Sequence, residues 1–131
     1  MSNAKAVKTP LPEGYNSIPN TGLIDSEQHS LYQQVIRSLL YLMLGTRPDI
    51  CFAITKMLQF SANPSQEHLD KAMYICKYLA GTSRYALVYN GHSQRGLLAY
   101  TDSDWAADKA TRQSVTGYFF EISNGIFSWQ S

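Results

Sequence analysis

Two aspartates two positions apart, Asp102 and Asp104, are the residues of this chain best suited to chemistry. They lie in Tyr100-Thr101-Asp102-Ser103-Asp104-Trp105-Ala106, a run with strand-like character. Residues i and i+2 of a strand point to the same face of a sheet, so both carboxylates are expected on one face. Such a pair begins a cage for divalent cations of the kind that hydrolyses phosphodiesters. That chemistry sets two ions about 3.5–4 Å apart and surrounds them with several carboxylates. Asp102 and Asp104 open a cage of this kind and do not complete it. Spacing alone equally allows a structural role, with one carboxylate in solvent and the other capping the turn Trp105-Ala106-Ala107. Glu121 lies too far along its own strand to be assigned.

A second group has the types that hold nucleic acid. Lys71, Tyr74 and Tyr78 fall on one flank of an expected helix, next to Lys77. Basic and aromatic residues interleaved on a helix can follow a phosphate backbone. The same spacing also suits two tyrosines packed on a neighbouring helix beside two solvated lysines. His29, His68 and His92 lie in separate elements and read as surface or capping residues. No glycine-rich phosphate loop and no nucleophile motif is present.

Composition limits the choices further. A chain of 131 residues suits one domain, or a small domain with part of another. An apolar share of 44% excludes a wholly disordered chain. Eleven basic against ten acidic residues give a net charge of +1, which excludes a polybasic field. Any contact with nucleic acid must therefore come from a local patch, or from a larger protein to which this piece belongs. Cys51 and Cys76 sit in helix-like patterns and read as small buried thiols, which fits a reducing compartment, cytoplasmic or nuclear. No window of about 18 apolar residues occurs, so no membrane partner is expected. The start, Met1-Ser2-Asn3-Ala4, does not read as a signal peptide.

The elements that must position these residues can be read in turn. Residues 1–24 hold three prolines and two glycines without periodicity and read as an extended, poorly fixed arm. Residues 25–82 read as a three-helix bundle. The first helix, 26–44, repeats Leu31, Val35, Leu39 and Met43, flanked by Tyr32, Ile36 and Leu40; Asp25 with Gln28 caps it and Gly45 stops it. The second, 47–61, follows Thr46 as cap and turns Ile50, Ala53, Ile54, Met57 and Leu58 inward. The third, about 64–80, is expected to start with Asn63 as cap, Pro64 in its first turn and Gln66 in the capping box. Its stripe is Leu69, Ala72, Met73, Cys76, Leu79 and Ala80, and Gly81 ends it. From residue 83 to 131 the period becomes 2. Tyr85, Leu87 and Tyr89 alternate up to Asn90-Gly91, a hairpin signal; strands follow at 96–104 and 115–122, and Ser123-Asn124-Gly125 turns into a last one. The fold class is α+β, a three-helix bundle followed by a three- to four-stranded antiparallel meander.

Five motifs in order add what spacing does not. Tyr32-x4-Arg37-Ser38-Leu39-Leu40-Tyr41-Leu42, Thr46-Arg47-Pro48-Asp49-Ile50, Phe60-x2-Asn63-Pro64-x3-His68, Tyr78-Leu79-x-Gly81-Thr82 and Tyr100-Thr101-Asp102-Ser103-Asp104-Trp105-Ala106 closely resemble the polyprotein of copia-type LTR retrotransposons. The resemblance runs from about residue 5 to residue 131. It implies the end of the reverse transcriptase, its thumb or connection helices, running into the first strands of a ribonuclease H sheet. Asp102 then stands at the family's first metal-binding aspartate, with Mg2+ as the ion of the intact enzyme, and Asp104 belongs to the pattern without a clear role. The resemblance also implies that the remaining nuclease carboxylates follow Ser128-Trp129-Gln130-Ser131 and that the polymerase aspartates precede residue 1. On this reading the chain alone is not an enzyme and holds no cofactor tightly. Its expected partner is an RNA–DNA or DNA duplex, bound weakly. The competing expectation is a non-enzymatic protein that docks on a reverse transcriptase, or on itself, through its helices or an unpaired sheet edge.

Overall fold

The computed structural model describes residues 7–23, 25–91, 96–104 and 115–131. Helix α1 spans Ser26–Gly45, a 3-10 turn spans Pro48–Ile50, and helices α2 and α3 span Cys51–Leu58 and Gln66–Gly81. Strands β1, Leu98–Asp104, β2, Val115–Ile122, and β3, Gly125–Gln130, form one antiparallel sheet in that order. The architecture is α+β, helices first and sheet last.

Helix α1 begins where the sequence indicates, with the Asp25 side chain accepting from the Glu27 N–H at 3.3 Å. Gln28 does not complete a capping pair; it bonds to Gln66 of α3. Gly45 adopts no left-handed conformation, and the helix is closed by the Thr46 and Arg47 N–H groups, both donating to the Leu42 carbonyl. The buried stripe is Tyr32, Ile36, Leu39 and Met43: Leu39 and Met43 are as expected, the flanking Tyr32 and Ile36 replace Leu31 and Val35, and Leu31 is 47% exposed. Tyr32 is fully buried because its hydroxyl donates to the Met57 carbonyl at 2.7 Å, which satisfies the polar end of the ring. Burial pushes its phenol well above the ordinary value.

The second helix is shorter than the expected 47–61. Pro48 starts a 3-10 turn without a side-chain cap, and Thr46 serves as the C-cap of α1 instead. After Leu58 the chain tightens into i to i−3 bonds, Phe60 to Met57 and Ser61 to Leu58, and leaves the helix. Cys51, Ala53, Ile54 and Met57 are buried, whereas Leu58 is 38% exposed.

Helix α3 is capped by Ser65, not Asn63. The Ser65 Oγ accepts from the His68 N–H, and the Ser65 N–H donates to His68 Nδ1 at 2.8 Å. The imidazole takes the place usually filled by Glu or Gln in a capping box. Gln66 is not part of the box. Its buried face is His68, Leu69, Ala72, Ile75 and Tyr78; Met73 is half-buried and Ala80 exposed.

The arm is not loose over its described residues. Leu11 and Ser17 are buried, and Val7 and Tyr15 pack on the core. Lys56 Nζ donates to the Tyr15 carbonyl at 2.8 Å. Asn63 Nδ2 donates to the Asn20 carbonyl at 2.8 Å, and Asn20 Nδ2 to the Pro64 carbonyl at 3.2 Å. His68 was expected at the surface or in a cap; it caps from full burial, stacked on Phe60 with ring centres 4.2 Å apart. Since Nδ1 accepts from a backbone N–H, the imidazole proton sits on Nε2 and is donated to Ser17 Oγ at 2.5 Å. The arm is therefore latched to α3 by a neutral histidine.

In the sheet, the strand expected from Tyr85 to Tyr89 does not form. At its start the Tyr85 N–H donates to the Thr82 carbonyl, and at its end the Asn90 N–H donates to the Ser123 carbonyl and Tyr89 Oη to the Ile126 carbonyl. Alternation supplied a strand pattern, and among the described residues no neighbouring strand ladders with it. Ser123 and Asn124, at φ 52° and 59°, make the two-residue turn that matches strand twist. A Cβ at Gly125 would run into the half-exposed Tyr89 ring, which would have to shift. Phe120 pairs with Ser128 and Glu121 with Ile126, so Phe127 is an extra residue, a β-bulge. The bulge puts Ile126 and Trp129 on one face with Phe119 and sends Phe127 towards Phe120 on the other. Trp129 packs on the helical core and joins the sheet to α2.

Burial pushes the His68 pKa below its ordinary value of 6.5. A folded-state pKa below the unfolded one means that the unfolded chain takes up the proton first. The latch is then fully stabilising above about pH 6.5, weakens as pH falls below it, and levels off beneath the folded pKa. Urea unfolding at pH 7.5 and pH 5 is expected to show lower stability at pH 5, with a shallower pH slope in His68→Gln. An unchanged slope in that variant would contradict the neutral latch.

Candidate functional site

Strand β1 carries Asp102 opposite Gly117 and Tyr100 opposite Phe119. The Tyr100 and Phe119 rings stack with centres 4.5 Å apart, and Phe119 pairs across to Trp129. This row forms one wall of a groove of about 460 Å3. The opposite wall is the 3-10 turn and the start of α2, with Asp49 and Phe52. Asp102 is exposed at its rim.

Asp49 is fully engaged. Arg47 grips it with both prongs, Nε to Oδ1 at 2.9 Å and Nη2 to Oδ2 at 2.8 Å, and Tyr78 Oη donates to Oδ2 at 2.9 Å. The other side of the guanidinium bonds to Thr82, Nη1 to the carbonyl at 3.3 Å and Nη2 to Oγ1 at 2.6 Å. The rings of Tyr78 and Tyr85 lie 5.7 Å from its carbon. Burial works to raise the Asp49 pKa, and the hydrogen bonds from Arg47 and Tyr78 outweigh it, holding the carboxyl below its ordinary value. The bond to Asp49 raises Arg47, and burial followed by the bond to Asp49 raises the Tyr78 phenol.

The expected site residues are not brought together. Asp104 pairs with Val115 at the end of β1, and the proposed cap of the Trp105-Ala106-Ala107 turn lies outside the described residues. Among the described residues, no three His, Cys, Asp or Glu side chains gather to hold a metal. With Asp49 committed to Arg47, the described residues around Asp102 do not fit a divalent ion, and no step through one is derived. On α3, Lys77 is exposed, Tyr74 half-buried, and Lys71 sits 5.0 Å from the Tyr15 ring of the arm. Tyr78 departs from the expectation: it is 6% exposed with its hydroxyl bound to Asp49, so no base can stack on it. The residue that sequence reasoning left without a role is Arg47. Its signal was an arginine two positions before an aspartate, around a proline that fixes the backbone. Cys51 and Cys76 are free thiols; Cys51 is buried as expected, and Cys76 is only half-buried. No helix among the described residues is long and apolar enough to cross a membrane.

Sequence relatives of the chain are transposon polyproteins and shorter proteins. The chain is 39% identical, over its whole length, to the retrovirus-related Pol polyprotein of transposon TNT 1-94 from Nicotiana tabacum, covering 10% of that protein. It is 37% identical over its whole length to the polyprotein of transposon RE1 from Arabidopsis thaliana, covering 9%. It is also 34% identical, over 76% of its length, to secreted RxLR effector protein 161 of Plasmopara viticola, covering 70% of that protein. No family profile and no solved structure matches it. Two of these homologues are retrovirus-related Pol polyproteins of plant transposons, and they support a copia-type retrotransposon polyprotein. It spans about a tenth of the length of the transposon polyproteins it matches.

Two measurements follow from the geometry. Arg47→Met leaves the Asp49 carboxylate without its cation and is expected to lower unfolding stability by at least about 2 kcal/mol. Asp49→Asn should cost at least as much, about 2 kcal/mol or more, because it strands a guanidinium whose side chain is only 9% exposed, while 32% of the Asp49 side chain meets water. A cost below about 0.5 kcal/mol for either variant by urea denaturation would contradict the clamp. Magnesium titrated into the chain is expected to bind only at millimolar concentration, because one or two carboxylates do not dehydrate it. Micromolar binding abolished by Asp102→Asn would show a site that the described residues do not form.

Proposed function

We propose that this chain is the stretch of a copia-type polyprotein in which the last helices of the reverse transcriptase run into the first strands of the ribonuclease H domain. The observation that carries this reading is 39% identity to a Pol polyprotein along the entire chain. The order of elements supports it: helices first, then a sheet whose opening strand presents Asp102 on an exposed rim. In the whole polyprotein the helices support the template–primer duplex, with Lys71, Tyr74 and Lys77 towards the phosphates, and β1 supplies the first acid of the nuclease. Mg2+ is the ion of that complete nuclease. Alone, the chain is a scaffold without polymerase or nuclease activity.

A second reading has its own support. The 100 residues aligned with the Plasmopara viticola effector make up 70% of it, so a relative of comparable length stands as a separate protein. This favours a non-enzymatic docking protein that shares the fold.

The test uses the full chain and a labelled RNA–DNA duplex. Fluorescence anisotropy is expected to show weak binding that falls steeply between about 50 and 200 mM salt. The double variant Lys71→Glu, Lys77→Glu should weaken it further, and no cleavage should occur with Mg2+. Absence of binding at about 10 μM protein, or binding indifferent to salt, would reject the duplex role and leave the docking reading. Hybrid cleavage that disappears with Asp102→Asn would reject the scaffold.

A further inference from the structure

The arm, α2 and α3 set two ammonium groups against one aromatic ring. Lys56 Nζ lies 5.9 Å and Lys71 Nζ 5.0 Å from the centre of the Tyr15 ring. Lys56 Nζ also lies 5.8 Å from the ring of Phe52, one turn earlier on α2. The cluster is held in place. Lys56 spends one of its three N–H donors on the Tyr15 carbonyl, and the Tyr15 hydroxyl donates to Ser17 Oγ at 3.1 Å, within the arm that His68 latches. Among the described residues neither lysine forms an ion pair; Glu67, the carboxylate that acts on the Tyr15 hydroxyl, is exposed. Phe52 is 55% exposed and belongs to the α2 wall of the groove, facing the wall of Tyr100 and Phe119. The cationic pair therefore adjoins a cleft with aromatic rings on both walls. Its volume of about 460 Å3 lies within the range of about 300–1,000 Å3 for small-ligand clefts.

We propose that this cluster binds single-stranded nucleic acid, with phosphate held by Lys56 and Lys71 and the adjoining base stacked in the groove against Phe52. The two ammonium groups, without a paired carboxylate, make a local positive point on a chain whose net charge is only +1. The aromatic walls offer π faces, which every base can use and which an acidic peptide does not need. Asp102, exposed at the sheet-side rim, repels phosphate, so the backbone stays on the lysine side while the base enters the groove. A duplex does not meet this geometry, because its bases are paired and stacked inside and offer no free face; an unpaired strand can splay a base out. The site stands apart from the duplex role, since of its residues only Lys71 belongs to both.

Fluorescence anisotropy of the full chain with a labelled strand of about ten deoxythymidines tests it. At about 100 mM salt a dissociation constant of about 10–100 μM is expected. Phe52→Ala should weaken binding about ten-fold. An abasic strand of the same length should bind the unaltered chain about ten-fold more weakly, which reads stacking without any change to the fold. Lys56→Met and Lys71→Gln should each lower the slope of log affinity against log salt by about 0.7. Arg37→Gln, which removes the same charge from an exposed position of α1, should leave the affinity within about two-fold. Absence of strand binding at about 500 μM protein would overturn the proposal. So would an abasic strand or a polyglutamate peptide bound as tightly as the deoxythymidine strand, or an Arg37→Gln loss equal to that of Lys56→Met. Duplex binding without strand binding would reject this site and leave the duplex role; strand binding without duplex binding would support the site and reject that role alone.

Discussion

The bidentate pair between Arg47 and Asp49 is the interaction on which the rest depends. A guanidinium only 8% exposed is tolerable only when its donors are satisfied, and here they are shared between Asp49 and Thr82. Asp49 lies in the 3-10 turn, and Thr82 follows the last residue of α3. One side chain therefore fixes the end of α3 against the start of α2, with Tyr78 closing the ring through the same carboxylate. The wall of the groove facing the sheet is built on that junction. Trp129, reaching from β3 to the core, then fixes where the sheet and Asp102 lie.

A second constraint holds the other end. The imidazole of His68 caps its own helix through Nδ1 and grips Ser17 through Nε2, a division of labour that demands the neutral form. Both devices place a polar group inside the core and hydrogen-bond it, through both ring nitrogens of His68 and four of the five N–H donors of Arg47. Such groups specify one arrangement among the many that apolar packing tolerates. A scaffold that positions other elements has use for that specificity, which agrees with a segment of a much longer polyprotein.

Much of this was legible in the letters. Asp25 announces the start of α1, the runs 96–104 and 115–122 announce the first two strands, and Ser123-Asn124-Gly125 announces the last turn of the sheet, whereas the alternation from Tyr85 to Tyr89 announced a strand that does not form. Other features needed partners distant in sequence. Asn63-Pro64-Ser65 offers two caps, and the choice of Ser65 depends on His68, whose second nitrogen is held by Ser17. The first half of the α1 stripe was read one residue off, Leu31 and Val35 for Tyr32 and Ile36, because both pairs are apolar or aromatic. The bulge at Phe127 has no local signal, yet it decides which face Trp129 takes. Asp102 on the strand was readable; Asp49, the nearby carboxylate across the groove, is committed to Arg47, and spacing does not reveal that.

The most direct measurement of this account is hydrogen exchange, followed by mass spectrometry, in the wild-type chain and Arg47→Met. If the clamp joins the helical body to the sheet, losing it speeds exchange together in α2, at the end of α3 and in β3. Faster exchange confined to residues 46–49, with β3 as protected as before, would contradict it.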